Sequence, residues 1–191
     1  MHAKRESMEE FRRLLEKGSI QMAYRALLSY MMGLRTHFKN RHGDSSVSGL
    51  YQGHMDMTYF ALFPSSLRRL KLKIAIVFNY DAFRFEAWLA GRNRQVQRQY
   101  WELFRDSQWP EYRVVAPAKG VDSILECDLA SEFDPHDPDA LTAIIETTTL
   151  AFINRIEGFL SVDQPLEQRK RSAPTRARSS NRSRTRQRRG S

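Results

Sequence analysis

Between Gly49 and Gly91 apolar side chains return at every second position in three successive runs, a period that belongs to extended chain and to no helix. Tyr51, Gly53, Met55, Met57, Tyr59, Ala61 and Phe63 alternate with Gln52, His54, Asp56 and Thr58 until Pro64-Ser65-Ser66 ends the run. Leu70, Leu72, Ile74, Ile76, Phe78 and Tyr80 alternate with Lys71, Lys73, Ala75, Val77 and Asn79. This second run is polar at its start and apolar on both faces later, which predicts a central strand. Phe83, Phe85, Ala87 and Leu89 alternate with Arg84, Glu86, Trp88 and Ala90, and Gly91 closes the third run. The connections are too short for a crossover, so the three strands are expected to form an antiparallel meander.

Helical spacing brackets this block. Ser7 and Glu10 form a capping-box pattern ahead of Met8, Phe11, Leu14 and Leu15, and Gly18 stops that helix. Ser19 is a second cap, followed by Ile20, Tyr24, Leu27, Met31, Leu34 and Phe38 at spacings of four and three. Residues 40–48 read as loop. After Gly91, Asn93 caps a helix carrying Val96, Tyr100, Leu103 and Phe104 on one face, and two short β-like runs, 112–117 and 123–129, follow. Asp137 and Pro138 open a last helix with Leu141, Ile145, Thr148, Phe152, Ile156 and Phe159 in register. The expectation is an α+β fold in the order α-α-β-β-β-α-β-β-α, one domain over residues 7–162 after a flexible stretch of residues 1–6. With 41% hydrophobic residues the chain can build one core.

Charge separates the remainder. Residues 168–191 hold Arg169, Lys170, Arg171, Arg176, Arg178, Arg182, Arg184, Arg186, Arg188 and Arg189, ten of the 31 Lys and Arg, and none of the 22 acids. Residues 1–167 therefore carry 21 cations against 22 acids, a formal charge of −1. The terminal segment has no aromatic residue and no aliphatic larger than alanine. It cannot offset an ordering cost of roughly 1–2 kcal/mol per residue, so residues 163–191 are expected to be a disordered tail. Arginine set among Ser, Thr, Asn and Gln suits non-specific contact with phosphates, and nucleic acid or another polyanion is the expected partner. Without aromatics, base stacking is not expected of it.

A few residues in the body suggest chemistry. Strand alternation puts His54, Asp56, Lys73, Arg84 and Glu86 on one sheet face. Two carboxylates beside a lysine are what metal-assisted phosphodiester hydrolysis uses. Helix, three-stranded meander, helix and strand in this order resembles the core of restriction-endonuclease-like folds, and the resemblance implies Asp56, Glu86 and Lys73 as candidate catalytic residues of a divergent metal-dependent nuclease. It departs from that pattern two residues after Glu86, where Trp88 stands in place of lysine, so the amine has to come from Lys73 or Lys119. Arg92, Arg94 and Arg98 meet where a strand gives way to a helix N-terminus, an arrangement that suits an anion; the alternative is a solvated turn paired to Glu102 and Asp106. His37 and His42 flank a helix end without metal-ligand spacing, and Cys127 reads as a core thiol. No metal and no cofactor is expected. Trp101 and Trp109 are candidates for exposed aromatics of a protein-binding patch.

The stretches Tyr51-Gln52-Gly53-His54-Met55-Asp56-Met57-Thr58-Tyr59-Phe60 and Phe78-Asn79-Tyr80-Asp81-Ala82-Phe83-Arg84-Phe85-Glu86-Ala87-Trp88-Leu89 resemble a family of short, uncharacterised prokaryotic proteins over roughly residues 8–160. The resemblance implies a bacterial or archaeal cytoplasmic setting and transfers no activity. A single cysteine, the charged start of the chain and the want of an 18-residue apolar run point to the same cytoplasmic localisation.

Overall fold

The computed structural model describes residues 2–162. In chain order these form α1 (His2–Glu16), α2 (Ser19–Arg41), β1 (Ser45–Val47), β2 (Tyr51–Gln52), β3 (Met57–Pro64), α3 (Ser65–Arg69), β4 (Leu72–Asn79), β5 (Arg84–Gly91), α4 (Arg94–Asp106), β6 (Arg113–Val114), β7 (Ser123–Ala130) and α5 (Pro138–Val162). Contacts divide the chain after Glu157, so that residues 1–157 are one unit and residues 158–191 a second. The fold is α+β, as the alternating runs and helical stripes predict.

Every strand pair is antiparallel, in the order β1-β3-β4-β5-β7-β6, with β2 paired to β3 beside β1. The β3-β4-β5 meander is the one read from the sequence, with Phe60 opposite Ile76 and Ile76 opposite Ala87. Alternation gives this sheet two unlike faces. Thr58, Phe60, Leu62, Ile74, Ile76, Phe78, Phe85, Ala87 and Leu89 share one face and are at most 2% exposed. Each such large apolar side chain contributes roughly 1.5–3 kcal/mol on burial. Helix α2 covers this face, its Phe38 meeting Phe60 and its Tyr30 meeting Phe85 at ring centroid distances of 6.0 and 5.6 Å. Helix α5 lies beside α2, joined by Tyr30 Oη and Thr142 Oγ1 at 3.2 Å. The opposite face carries Tyr59, Lys73, Asn79, Arg84, Trp88 and Glu126, all partly exposed, around the buried Ala61, Ala75, Val77, Glu86 and Ala90.

The structure departs from the sequence reading at local punctuation. The run from Gly49 to Phe63 is two strands, because the chain turns at residues 53–56, where Met55 is left-handed at φ 62°. Gly53 donates to the Met57 carbonyl at 2.9 Å, and a Cβ there would lie 2.5 Å from that oxygen. Residues 45–47, read as loop, form the edge strand β1, and of the strand stop read at Pro64-Ser65-Ser66, Pro64 is the last residue of β3 while Ser65 and Ser66 open the single helical turn of α3, Ser65–Arg69. Helix α1 begins at His2, so Ser7 lies inside it rather than capping it, and residues 2–6 are helical. Gly18 at φ 73°, not Ser19, is the N-cap of α2. The caps at Asn93 and Asp137 are where the sequence places them, accepting from Val96 N at 2.9 Å and Ala140 N at 3.0 Å.

Candidate functional site

The polar centre of the open face is Glu86, fully buried in β5 between Val77 of β4 and Asp128 of β7. Its Oε1 accepts from Arg84 Nε at 2.6 Å, while Oε2 accepts from Trp88 Nε1 at 2.7 Å and faces Asn79 Nδ2 at 3.5 Å. Arg84 also reaches Asp128 Oδ2, 3.1 Å from its Nη1. The hydrogen bond to Glu86 and the two carboxylate charges hold the Arg84 guanidinium above the ordinary arginine pKa, against the opposing pull of burial. Trp88, which stands where the nuclease pattern has lysine, is thus a donor to the carboxylate. With both oxygens occupied from within the domain, Glu86 acts as a buried anchor for Arg84.

The other two members of the sequence cluster lie elsewhere. Asp56 is not on a strand: it belongs to the 53–56 turn, where its Oδ1 accepts from Met57 N at 2.7 Å and occupies the space of a Gly53 side chain. That backbone hydrogen bond lowers its pKa. His54 sits in the same exposed turn. Lys73 shares the face of Glu86, but pairs with Ala90 while Glu86 pairs with Val77. Four register steps at roughly 3.3 Å each put them about 13 Å apart along the sheet. Its Nζ lies 5.8 Å from the centroid of the Tyr59 ring. The structure therefore does not bring Asp56, Glu86 and Lys73 together, and among the described residues no three His, Cys, Asp or Glu side chains are grouped to hold a metal ion.

The arginines at the strand-to-helix corner are close in space. Arg92 follows the last residue of β5, its N–H donating to the Lys71 carbonyl at 2.9 Å. Arg94 donates to Gln97 Oε1 at 2.8 Å and to the Val121 carbonyl, and its Nη2 is 3.5 Å from Asp122 Oδ1. Arg98 is exposed one turn further along α4. The pairing to Glu102 and Asp106 offered as the alternative does not form for these arginines; Asp106 instead holds Arg105 at 2.7 Å. Gly91 makes the corner tight, since a Cβ there would stand 2.7 Å from Gln97 N. The ten basic residues from Arg169 to Arg189 lie outside the described residues.

The family described as a domain of unknown function, DUF7000, matches residues 4–160. The chain belongs to that family. No curated protein matches it, and neither does any solved structure. The DUF7000 span takes in the whole sheet and leaves residues 168–191 beyond its end. Within it, sequence reasoning missed a clasp between α2 and α5. Glu146 takes His37 Nε2 on one oxygen at 2.9 Å and His42 Nε2 on the other at 2.8 Å, with Arg41 Nε at 3.8 Å. Burial pushes the Glu146 carboxyl up, but the hydrogen bonds from both histidines and the nearby charges outweigh it and leave its pKa lowered. An acid at the edge of the otherwise apolar stripe of α5 was the available signal. The tryptophans taken as exposed are half-buried, Trp109 stacked on Phe104 at 4.8 Å and Trp101 under Arg105 at 4.5 Å. Cys127 is buried, and burial with the neighbouring Asp128 pushes its thiol up to about 11, away from thiolate chemistry at neutral pH. Among the described residues no helix is long and apolar enough to cross a membrane.

Proposed function

We propose that this DUF7000 protein is a polyanion-binding protein, with nucleic acid as the partner and the C-terminal arginines as its non-specific phosphate contacts. One observation carries the reading: residues 168–191 contain ten cations and no acid, while the rest of the chain is within one charge of neutral. Such a segment releases counterions on contact with a charged backbone. With about six to ten contacts, affinity falls by roughly three to five decades between 50 and 200 mM salt. The folded domain then serves as an interaction module rather than a catalyst. Its buried carboxylate Glu86 is saturated by Arg84 and Trp88, and its buried thiol is unreactive. One cysteine and no disulfide suit a cytoplasmic setting, where nucleic acid is abundant.

The test is removal of residues 168–191. Retention of a DNA duplex on a filter is expected to fall to a small residue, with the melting temperature of the domain unchanged. Full retention by the truncated chain would end the proposal.

A further inference from the structure

More than half of the domain's cations that meet no carboxylate are gathered at one place. Of the 21 Lys and Arg among the described residues, nine meet a carboxylate: Arg5, Arg12 and Arg13 within α1, and Arg41, Arg84, Arg94, Arg105, Arg113 and Arg155 elsewhere. Seven of the other twelve stand at a single end of the sheet. Arg68 and Arg69 end α3, Lys71 lies in the turn between α3 and β4, Lys73 near the start of β4, Arg92 between β5 and α4, Arg98 one turn into α4, and Lys119 in the β6–β7 loop. Except for the half-buried Lys73, all are exposed.

Hydrogen bonds and strand register show that these connections are neighbours. The Arg92 N–H donates to the Lys71 carbonyl at 2.9 Å, and Leu72 pairs with Gly91 directly behind them. Arg94 ties the junction to the β6–β7 loop through the Val121 carbonyl and Asp122, and a turn from Ala118 O to Val121 N holds Lys119 nearby. Of the acids at this end, Asp122 is engaged by Arg94 and Glu157 by Ser66, while Asp44, just before β1, is exposed on the far side of β3. Like charges gathered on one surface repel one another modestly through water and raise the local positive potential, which an approaching anion lowers.

We propose that this end of the sheet binds the sugar-phosphate backbone of a nucleic-acid duplex. The cations are distributed over three connections instead of converging on one point, which fits a polymer of repeated charges and not a single phosphate. Adjacent strands are about 4.8 Å apart, so β4, β5 and β7 alone spread them over roughly 10 Å, whereas duplex DNA carries one charge per about 1.7 Å of axis. Four of the seven are arginines, which grip phosphate oxygens in a bidentate manner. A membrane would call for large apolar side chains between the charges, and here only Leu70, 37% exposed, stands among them. The surface shares no residue with the C-terminal segment, so it extends the proposed function to the domain and stands or falls by itself.

The experiment uses the full chain and a short DNA duplex of mixed sequence, with affinity followed as salt is raised. Arg69→Gln/Arg92→Gln/Arg98→Gln is compared with Lys17→Gln/Arg25→Gln/Lys39→Gln, which removes three unpaired cations of α2 and the turn before it. Each lost phosphate contact lowers the salt slope by about 0.9, so the first variant is expected to lose roughly three units of slope and the second less than one. Arg98→Gln alone is expected to lose about one, which keeps the test open should the triple variant fold poorly. Equal losses in both triple variants, or an unchanged slope in the first, overturn the proposal. Loss of binding to phosphatidylserine vesicles with an unchanged duplex slope assigns the surface to a membrane and likewise overturns it. Truncation of residues 168–191 separates the two proposals. A truncated chain that no longer binds, beside a full-length Arg69/Arg92/Arg98 variant of unchanged slope, leaves the tail reading standing and removes this one; the converse pattern does the opposite.

Discussion

Arg84 and Arg92 bracket strand β5, one at its first residue and one just past its last, and they have opposite surroundings. Arg84 lays its guanidinium between the buried Glu86 and Asp128, whereas Arg92 is exposed beside other cations with no carboxylate within ion-pair distance. Both are arginines next to a strand in an almost neutral domain, so residue type explains nothing of the difference. What separates them is which acids come within reach: β7 offers Asp128 to Arg84 at one end, while at the other Asp122 is taken by Arg94 and the neighbour of Arg92 is Lys71. A charge taken out of water must be matched by a partner, and one left in water need not be. The first arginine is therefore tied to stability and the second is free for an external anion.

The strongest attempt to break this contrast is Glu86→Ala. It leaves the Trp88 N–H without its acceptor and Arg84 with Asp128 alone, and a loss of about 3 kcal/mol is expected in chemical denaturation. A loss under about 1 kcal/mol would mean that the network holds little. Gly91→Ala probes the frame of the opposite end. The added Cβ meets backbone atoms of Gln97 and Asn93 that have no flexible way to yield, so a loss of about 1–3 kcal/mol is expected, with α4 displaced. An alanine variant as stable as the parent would show that the corner is looser than its geometry.

The Glu146 clasp extends the contrast to pH. The carboxyl's native pKa lies below its unfolded value, so the unfolded chain binds the extra proton and stability rises with pH across that interval. The clasp's contribution, under about 1 kcal/mol for so few partly exposed groups, is complete above the ordinary glutamate range and fades as pH falls through the lowered native value. The stability gap between the parent and Glu146→Gln should close on acidification; a gap independent of pH would assign it to packing. The smallest effect belongs to Arg92→Gln, expected to stay within about 0.5 kcal/mol by thermal denaturation. A larger loss would reveal a structural partner and remove the contrast with Arg84.

Much of this architecture was legible in the chain. The β3-β4-β5 meander followed from period two, α2 and α5 from their four-three stripes, and the caps at Asn93 and Asp137 from residue type. The turn at residues 53–56 was missed because Gly53, Met55 and Met57 keep the alternation across a stretch that is not extended. Helix α3 was missed because five residues cannot display a 3.6-residue period. Of the basic end, Arg92, Arg94 and Arg98 were visible because they are adjacent in sequence. Arg68, Arg69, Lys71, Lys73 and Lys119 were not, since some twenty residues separate each group from that junction.

Local spacing by itself set the kinds of element, the antiparallel connections and the concentration of charge in residues 168–191, because periodicity and composition are properties of neighbouring residues. Which cations are neutralised and which are left free was decided only by tertiary structure. An ion pair needs two side chains within about 4 Å, and for Arg84 with Asp128, Arg94 with Asp122 and His37 with Glu146 that proximity is produced by strand register and helix packing across long stretches of chain.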